Sequence, residues 1–253
     1  MNTLSIALVQ MRCEKGAIDA NLAAIQGYLQ EAISRNVEII CFPEMSITGY
    51  IDPTRQPEAI ARLDGPEVAR FVAMTGGTAI TAIAGIVEAN PNGKPFITQI
   101  VARNGQLLDY YRKKTIITDE VAWFAPGAAT TVFTHPKAAC GLAICADIEN
   151  PEVFAANAAQ GARIIFEAAA PGLYGEQATR NWQTGYNWWH GECHVKLGQY
   201  AHDHQVYIAV ATQAGRTSDE DFPGGGYVFG PDGTCLHETP DWSENVLYAQ
   251  LPL

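Results

Sequence analysis

The 253-residue chain is poor in positive charge: 16 lysines and arginines stand against 27 aspartates and glutamates, a formal net charge of −11. That balance argues against nucleic acid or anionic membrane as a partner, because both are held by basic patches. The one run of cations, Arg112-Lys113-Lys114, is too small for a nucleic-acid footprint. Long apolar runs are also missing. The opening MNTLSIALVQM has no basic leader, and its apolar stretch is too short for a signal peptide or a membrane span, so a soluble, cytoplasmic protein is expected. The six cysteines, at 13, 41, 140, 145, 193 and 235, show no CxxC spacing. In a chain of this size they read as reduced thiols rather than a disulfide framework. Low-complexity segments, linkers and repeats are absent, and residues 1–253 read as a single domain.

What is there is an alternation of strand and helix patterns. Residues 4–11 alternate and are rich in branched side chains, as a strand would be, and 37–42, 79–89, 139–145, 162–170 and 206–212 are further strand-length apolar runs. Leu22, Ile25, Leu29 and Ile33 repeat on one helical face behind a candidate cap at Asp19, and Pro66 and Pro151 each open a helix. The Asn104-Gly105 step joins 96–102 to 107–113 as a hairpin, and GPDG closes another over 226–238. A further helix is expected over about 185–204 and a last strand from Asn245. The pattern fits one α/β domain with a mixed sheet, or two stacked sheets between helices.

Three polar residues stand where an apolar strand gives way to a loop: Glu44 after VEIICFP, Lys113 at the end of LLDYYRK and Cys145 at the end of GLAIC. Strand ends aim side chains into a shared crevice in α/β folds. A carboxylate, an ammonium and a thiol are the three parts of thiol-based acyl transfer: the base takes the thiol proton, the thiolate attacks carbon, and the cation holds the developing negative charge. Taken singly, each has a plainer reading. A lone cysteine is most often an inert small hydrophobe, Glu44 a loop acid and Lys113 an exposed charge. Alternation along DYYRKK puts Lys113 and Lys114 on opposite faces, so only one can enter a site. Cys140, inside its strand, reads as structural, and Asp147 as the residue that ties down the turn after Cys145.

The segments FPEMSITGY (42–50), YYRKKTI (110–116) and GLAICADIENPE (141–152) resemble, in this order, the glutamate, lysine and cysteine motifs of the nitrilase (carbon–nitrogen hydrolase) superfamily. EVAWFAPG (120–127) and FPGGGYVFGPDG (222–233) resemble its supporting segments, and the likeness is to the amidase branch. It implies a four-layer αββα sandwich of two mixed sheets flanked by helices, assembled into homodimers or larger homo-oligomers. It also implies Cys145 as nucleophile, Glu44 as general base and later acid, and Lys113 rather than Lys114 as oxyanion stabiliser. Glu120 would orient the lysine or the substrate, and the Ala146 backbone N–H would be the second oxyanion donor. The implied activity is hydrolysis of a small amide through an acyl-enzyme on Cys145, with no cofactor and no metal; N-carbamoyl amine hydrolysis and nitrile hydrolysis are the alternatives. A thiol beside Lys113 and near the start of the 151–161 helix is expected to have a lowered pKa.

Two other classes compete. His190 and His194 share a helix face in HGECHVKLGQYAHDH (190–204), as zinc ligands do, and would make the protein a zinc-dependent hydrolase. Glu192, however, lies about 200° round the helix from His190, no third ligand is obvious although His202, His204 or Cys193 could be offered, and surface histidines are the plainer reading. A catalytically dead binding protein is disfavoured because every reactive position is filled. The glycines at 224–226 lack the lysine-serine step of a phosphate loop and read as a close-packed turn. Glu149 falls where related amidases carry arginine, and Glu167 stands near the end of the strand at 162–170. If either faces the pocket, carboxylate-bearing substrates are repelled; pairing with Arg163 or Arg180 would instead neutralise them.

Overall fold

The computed structural model of the protein describes residues 3–173 and 175–253. In chain order the elements are β1 (Thr3–Gln10), α1 (Ile18–Ser34), β2 (Ile39–Cys41), α2 (Pro66–Ala73), β3 (Thr81–Glu88), β4 (Phe96–Arg103), β5 (Gln106–Arg112), the short α3 (Glu120–Trp123), β6 (Val132–His135), β7 (Ala138–Ile144) and α4 (Pro151–Ala159). Then come β8 (Ile164–Ala169), α5 (Trp182–Glu192), α6 (Gly198–His204), β9 (Tyr207–Thr212), β10 (Ala214–Arg216), β11 (Asp221–Pro223), β12 (Gly226–Phe229), β13 (Cys235–Glu238) and β14 (Asn245–Pro252). Two six-stranded sheets form, ordered β14-β1-β2-β3-β4-β5 and β13-β12-β9-β8-β7-β6. Each has three parallel strands, β1-β2-β3 and β7-β8-β9, extended by antiparallel neighbours, so both sheets are mixed.

Period-2 alternation decides which face each strand presents. Leu4, Ile6 and Leu8 of β1 enter a core shared with the second sheet, including Leu142 of β7 and Val228 of β12. Ala7 and Val9, on the other face, pack with Leu22, Ile25 and Leu29 of α1 and Phe71 of α2. The helices α4 and α6 cover the second sheet against β7 and β9. The result is the αββα sandwich, with the central strands β1–β3 and β7–β9 buried on both faces and therefore mostly apolar. Among the described residues no helix is long and apolar enough to cross a membrane.

Three local expectations are corrected. The run at 37–42 forms only three residues of strand, because Pro43 has no N–H to give the ladder and turns the chain out. Asp19 lies inside the first turn of α1 rather than capping it, and its carboxylate pairs with Arg70 of α2 at 2.6 Å. The helix expected over 185–204 starts at Trp182 and is interrupted by a π-helical turn over Cys193–Leu197. The strand β6, paired antiparallel with β7, and the pair β10 and β11 are additions to the expected strands.

Candidate active site

Glu44 emerges just beyond β2, on a loop laid along β3. Ile47 N–H donates to the Gly85 carbonyl at 2.9 Å, and Ser46 Oγ and Thr48 Oγ1 accept from Gly85 and Val87 N–H, each at 3.0 Å. This close approach explains the glycine in β3: a Cβ at 85 would stand 2.2 Å from Met45 N. The Glu44 side chain is fully buried, and its Oε2 accepts from Ala170 N–H at 2.9 Å, just beyond β8 in the other sheet. Lys113 follows β5 with its peptide clamped at both ends: its N–H donates to the Ile97 carbonyl and its carbonyl accepts from Gly127 N–H at 2.7 Å. Cys145 directly follows β7 in the left-handed region at φ +44°, a strained setting for a residue with a Cβ. Asp147 holds that turn. Its carboxylate accepts from Ile144 N–H (3.0 Å), Thr115 N–H (2.9 Å) and the Tyr111 hydroxyl (2.7 Å).

These elements bring Glu44, Lys113, Glu120, Cys145 and Ala146 together. Lys113 Nζ donates to Glu44 Oε1 at 2.9 Å and to both Glu120 oxygens at 2.7 and 3.0 Å, with all three side chains buried. Lys113, Glu120, Cys145 and Ala146 line one cavity of about 530 Å³, a volume suited to a small molecule. Tyr50 lines it too and donates its hydroxyl to Glu120 Oε1 at 2.8 Å. Neither Tyr50 nor the Ala170 amide was anticipated. Tyr50 ends the FPEMSITGY segment, but no spacing rule joins it to residue 120, and a backbone amide leaves no mark in the sequence.

The electrostatics correct one expectation. The Cys145 thiol sits well above its ordinary pKa: burial pushes it up, Glu44 adds to that, and Lys113 opposes only in part. Two carboxylates and the loss of water outweigh one ammonium, so the resting thiol keeps its proton. Burial lifts Glu44 to about 7 against the pull of Lys113. Lys113 is held charged, with Glu44 and Glu120 overriding the cost of its burial.

The two further acids part company. Glu149 lines the cavity, where Lys196 rather than an arginine pairs with it at 2.6 Å. Glu167 is fully buried, lies outside the cavity lining, and neither oxygen has a hydrogen-bond partner among the described residues. Arg180 pairs instead with Asp221. Among the described residues Lys114 forms no ion pair with Glu44 or Glu120, whereas Lys113 pairs with both. Cys140 is buried within β7, its thiol turned to the Ala138 carbonyl.

Comparison with known proteins supplies the context. The carbon–nitrogen hydrolase family model matches residues 5–253. A glutamine-dependent NAD(+) synthetase of Acinetobacter baylyi is 24% identical over 258 residues, covering 100% of this chain and 45% of that protein. A formamidase of Bradyrhizobium sp. is 34% identical over 135 residues, covering 53% of this chain and 40% of that protein. The chain thus spans less than half the length of either relative. An amidase from Nesterenkonia sp. superposes with a TM-score of 0.81 at 24% identity, over 98% of this chain and 90% of its own. A mutant of that amidase, also at a TM-score of 0.81, with 23% identity and coverage of 98% and 90%, carries the acetamide moiety of fluoroacetamide covalently on its active-site cysteine.

Proposed function

We propose that this chain, which belongs to the carbon–nitrogen hydrolase family, hydrolyses a small amide through an acyl-enzyme on Cys145. The observation that carries the reading is the buried bridge of Lys113 between Glu44 and Glu120 at the cavity that Cys145 lines. In the resting site the thiol is protonated and Glu44, with a pKa near neutrality, is poised to accept its proton. Proton transfer to Glu44 accompanies attack of sulfur on the amide carbon, and the tetrahedral oxyanion is held by Lys113 Nζ and the Ala146 N–H. Glu44 returns the proton to the leaving nitrogen, which departs as ammonia or amine. A water molecule then gives its proton to Glu44, attacks the thioester and releases the acid, and the thiol is re-formed. Glu120 keeps the ammonium in place, itself held by Tyr50. The covalent acetamide adduct of the Nesterenkonia amidase supports the cysteine's role here.

The cavity wall bears on substrate charge. Asp52, Asp119, Glu120, Glu149, Glu192, Asp219 and Glu220 line it against Lys15, Arg55 and Lys113. Lys15 is occupied by Asp219 and Glu220, and Lys196 offsets part of Glu149 and Glu192. The remaining field is negative, so neutral or amine-bearing amides are preferred over carboxylates. Ammonia release is to be measured for matched amides ending in carboxylate, amide or amine, together with formamide, glutamine, carbamoyl amines and nitriles. A kcat/KM advantage for the carboxylate would overturn the charge preference. Turnover confined to nitriles or carbamoyl amines would overturn the amidase assignment.

A further inference from the structure

We propose a second site, for a zinc-class divalent ion, built from His190, His194 and Glu238 with Cys235 as the fourth donor. Nε2 of His190 lies 3.2 Å and Nε2 of His194 3.0 Å from the same Glu238 oxygen, and donor atoms of the three residues fall within 4.8 Å of one another. The Cys235 thiol is 4.0 Å from that oxygen.

Each element is shaped for this convergence. The two histidines, four apart, lie one above the other, their rings stacked at 4.0 Å and 23°. Tyr227 and Phe229 of β12 meet the rings edge-on, Tyr227 against both at 5.8 and 5.9 Å and Phe229 against His194 at 5.3 Å. In a regular strand Cys235 and Glu238, three apart, would face opposite ways. A register shift between Val228 and Phe229 instead pairs Glu238 with Tyr227 and Cys235 with Phe229, which puts both donors on the face that meets the histidines. His194 lies in the π-helical turn, a rare distortion frequent at functional sites.

Without an ion, the two ring nitrogens converge on one and the same Glu238 oxygen. An ion uses the lone pairs of two neutral imidazoles at once and takes the carboxylate as its anion. Two nitrogens, an oxygen and a thiolate suit zinc in tetrahedral geometry, whereas calcium and magnesium require an oxygen shell. The histidine and glutamate side chains are 32–46% exposed, which leaves a path for the ion. The same helix, α5, presents Trp188, Trp189 and Glu192 to the catalytic cavity. An ion that ties α5 to β13 therefore braces one wall of that cavity.

The test uses the full chain stripped with chelator and titrated with zinc chloride against a chromophoric competitor. A Cys145→Ala background prevents capture of zinc by the catalytic thiol. One equivalent should bind in both wild type and Cys145→Ala, with affinity lowered more than ~10²-fold by His194→Ala or Glu238→Gln in protein that circular dichroism shows to be folded, since even outer-shell changes cost 10–100-fold. The cobalt(II) form should show a thiolate absorption that Cys235→Ser removes. No stoichiometric binding in the Cys145→Ala background, or binding that survives His190→Ala and His194→Ala, would overturn the site; cobalt without the thiolate absorption would remove Cys235 from it. Hydrolysis by the stripped wild type should persist. Hydrolysis that needs zinc, is lost with His194→Ala and survives Cys145→Ala would instead overturn the catalytic assignment to Cys145.

Discussion

Replacing Glu167 with glutamine tests how the interior handles charge. Burial holds this carboxyl well above its ordinary pKa of 4.5, the charges of Asp147 and Glu44 add to the effect, and Lys113 opposes it. A raised folded-state pKa means that the native protein binds the proton more tightly than the unfolded chain does. The stabilisation is therefore fully present below pH 4.5 and is lost as pH rises through the folded-state value. Between the two values the unfolded chain has released the proton and the native chain has not, so stability falls by about 1.4 kcal/mol per pH unit. Glu167→Gln keeps the shape and removes that slope. Its amide N–H groups add a cost of about 1–3 kcal/mol that does not vary with pH, so the slope and not the offset is the readout. Denaturant unfolding of both proteins at unit steps from about pH 5 to 8 should show the variant gaining by about 1.4 kcal/mol at each step until the folded-state pKa is passed. Parallel stability curves would refute the reasoning, because they would mean that the carboxyl ionises inside the fold. Substrate discrimination should not change, since Glu167 does not line the cavity; a relaxed preference in the variant would refute that placement.

Cys145→Ala should abolish hydrolysis while leaving the thermal unfolding transition in place, and iodoacetamide should inactivate wild type through a label on Cys145; an inactivating label on Cys193 or Cys235, found by peptide mass mapping, would reject the nucleophile. Lys113→Gln should lower kcat by at least ~10², the usual worth of one oxyanion donor, and it also leaves two buried carboxylates without their cation. Lys114→Gln should keep near-normal turnover, and equal effects would mean that the chain leaves β5 in the wrong register. The pH profile of kcat/KM should fall on the acid side near the Glu44 value of about 7, because the base must be free to take the thiol proton. Glu120→Gln removes a negative neighbour that raises Glu44, so its acid limb should move to lower pH; a limb that stays or moves upward would separate Glu44 from it.

The parts of the site that were legible in the sequence are those a single strand can specify. Glu44, Lys113 and Cys145 each follow an apolar run, and the strand that carries each residue also aims it, so position in the sequence already implied position at a sheet's end. Alternation separated Lys113 from Lys114 for the same reason. An α/β domain was legible at this level too, since strands buried on both faces read as apolar runs, but the choice of two stacked sheets over one mixed sheet came from the family resemblance. Strand order was not, because pairs such as β14 with β1 are set by contacts between the chain's two ends. What failed needed two segments at once. The thiol's pKa was reasoned from one cation and one helix, but the outcome is decided by burial and by carboxylates from the loop after β2 and from α3 arriving on the same ammonium. The histidine pair shows the same division: a four-residue spacing revealed a shared helix face, but its partner Glu238 lies 44 residues beyond His194. Nothing in the local pattern of CLHE announces that a bulge will turn Cys235 and Glu238 to the same side. A spacing rule reports on one element at a time, whereas charge balance and ligand sets are properties of the meeting of elements. For that reason the position of Cys145 could be read from the sequence and its protonation state could not.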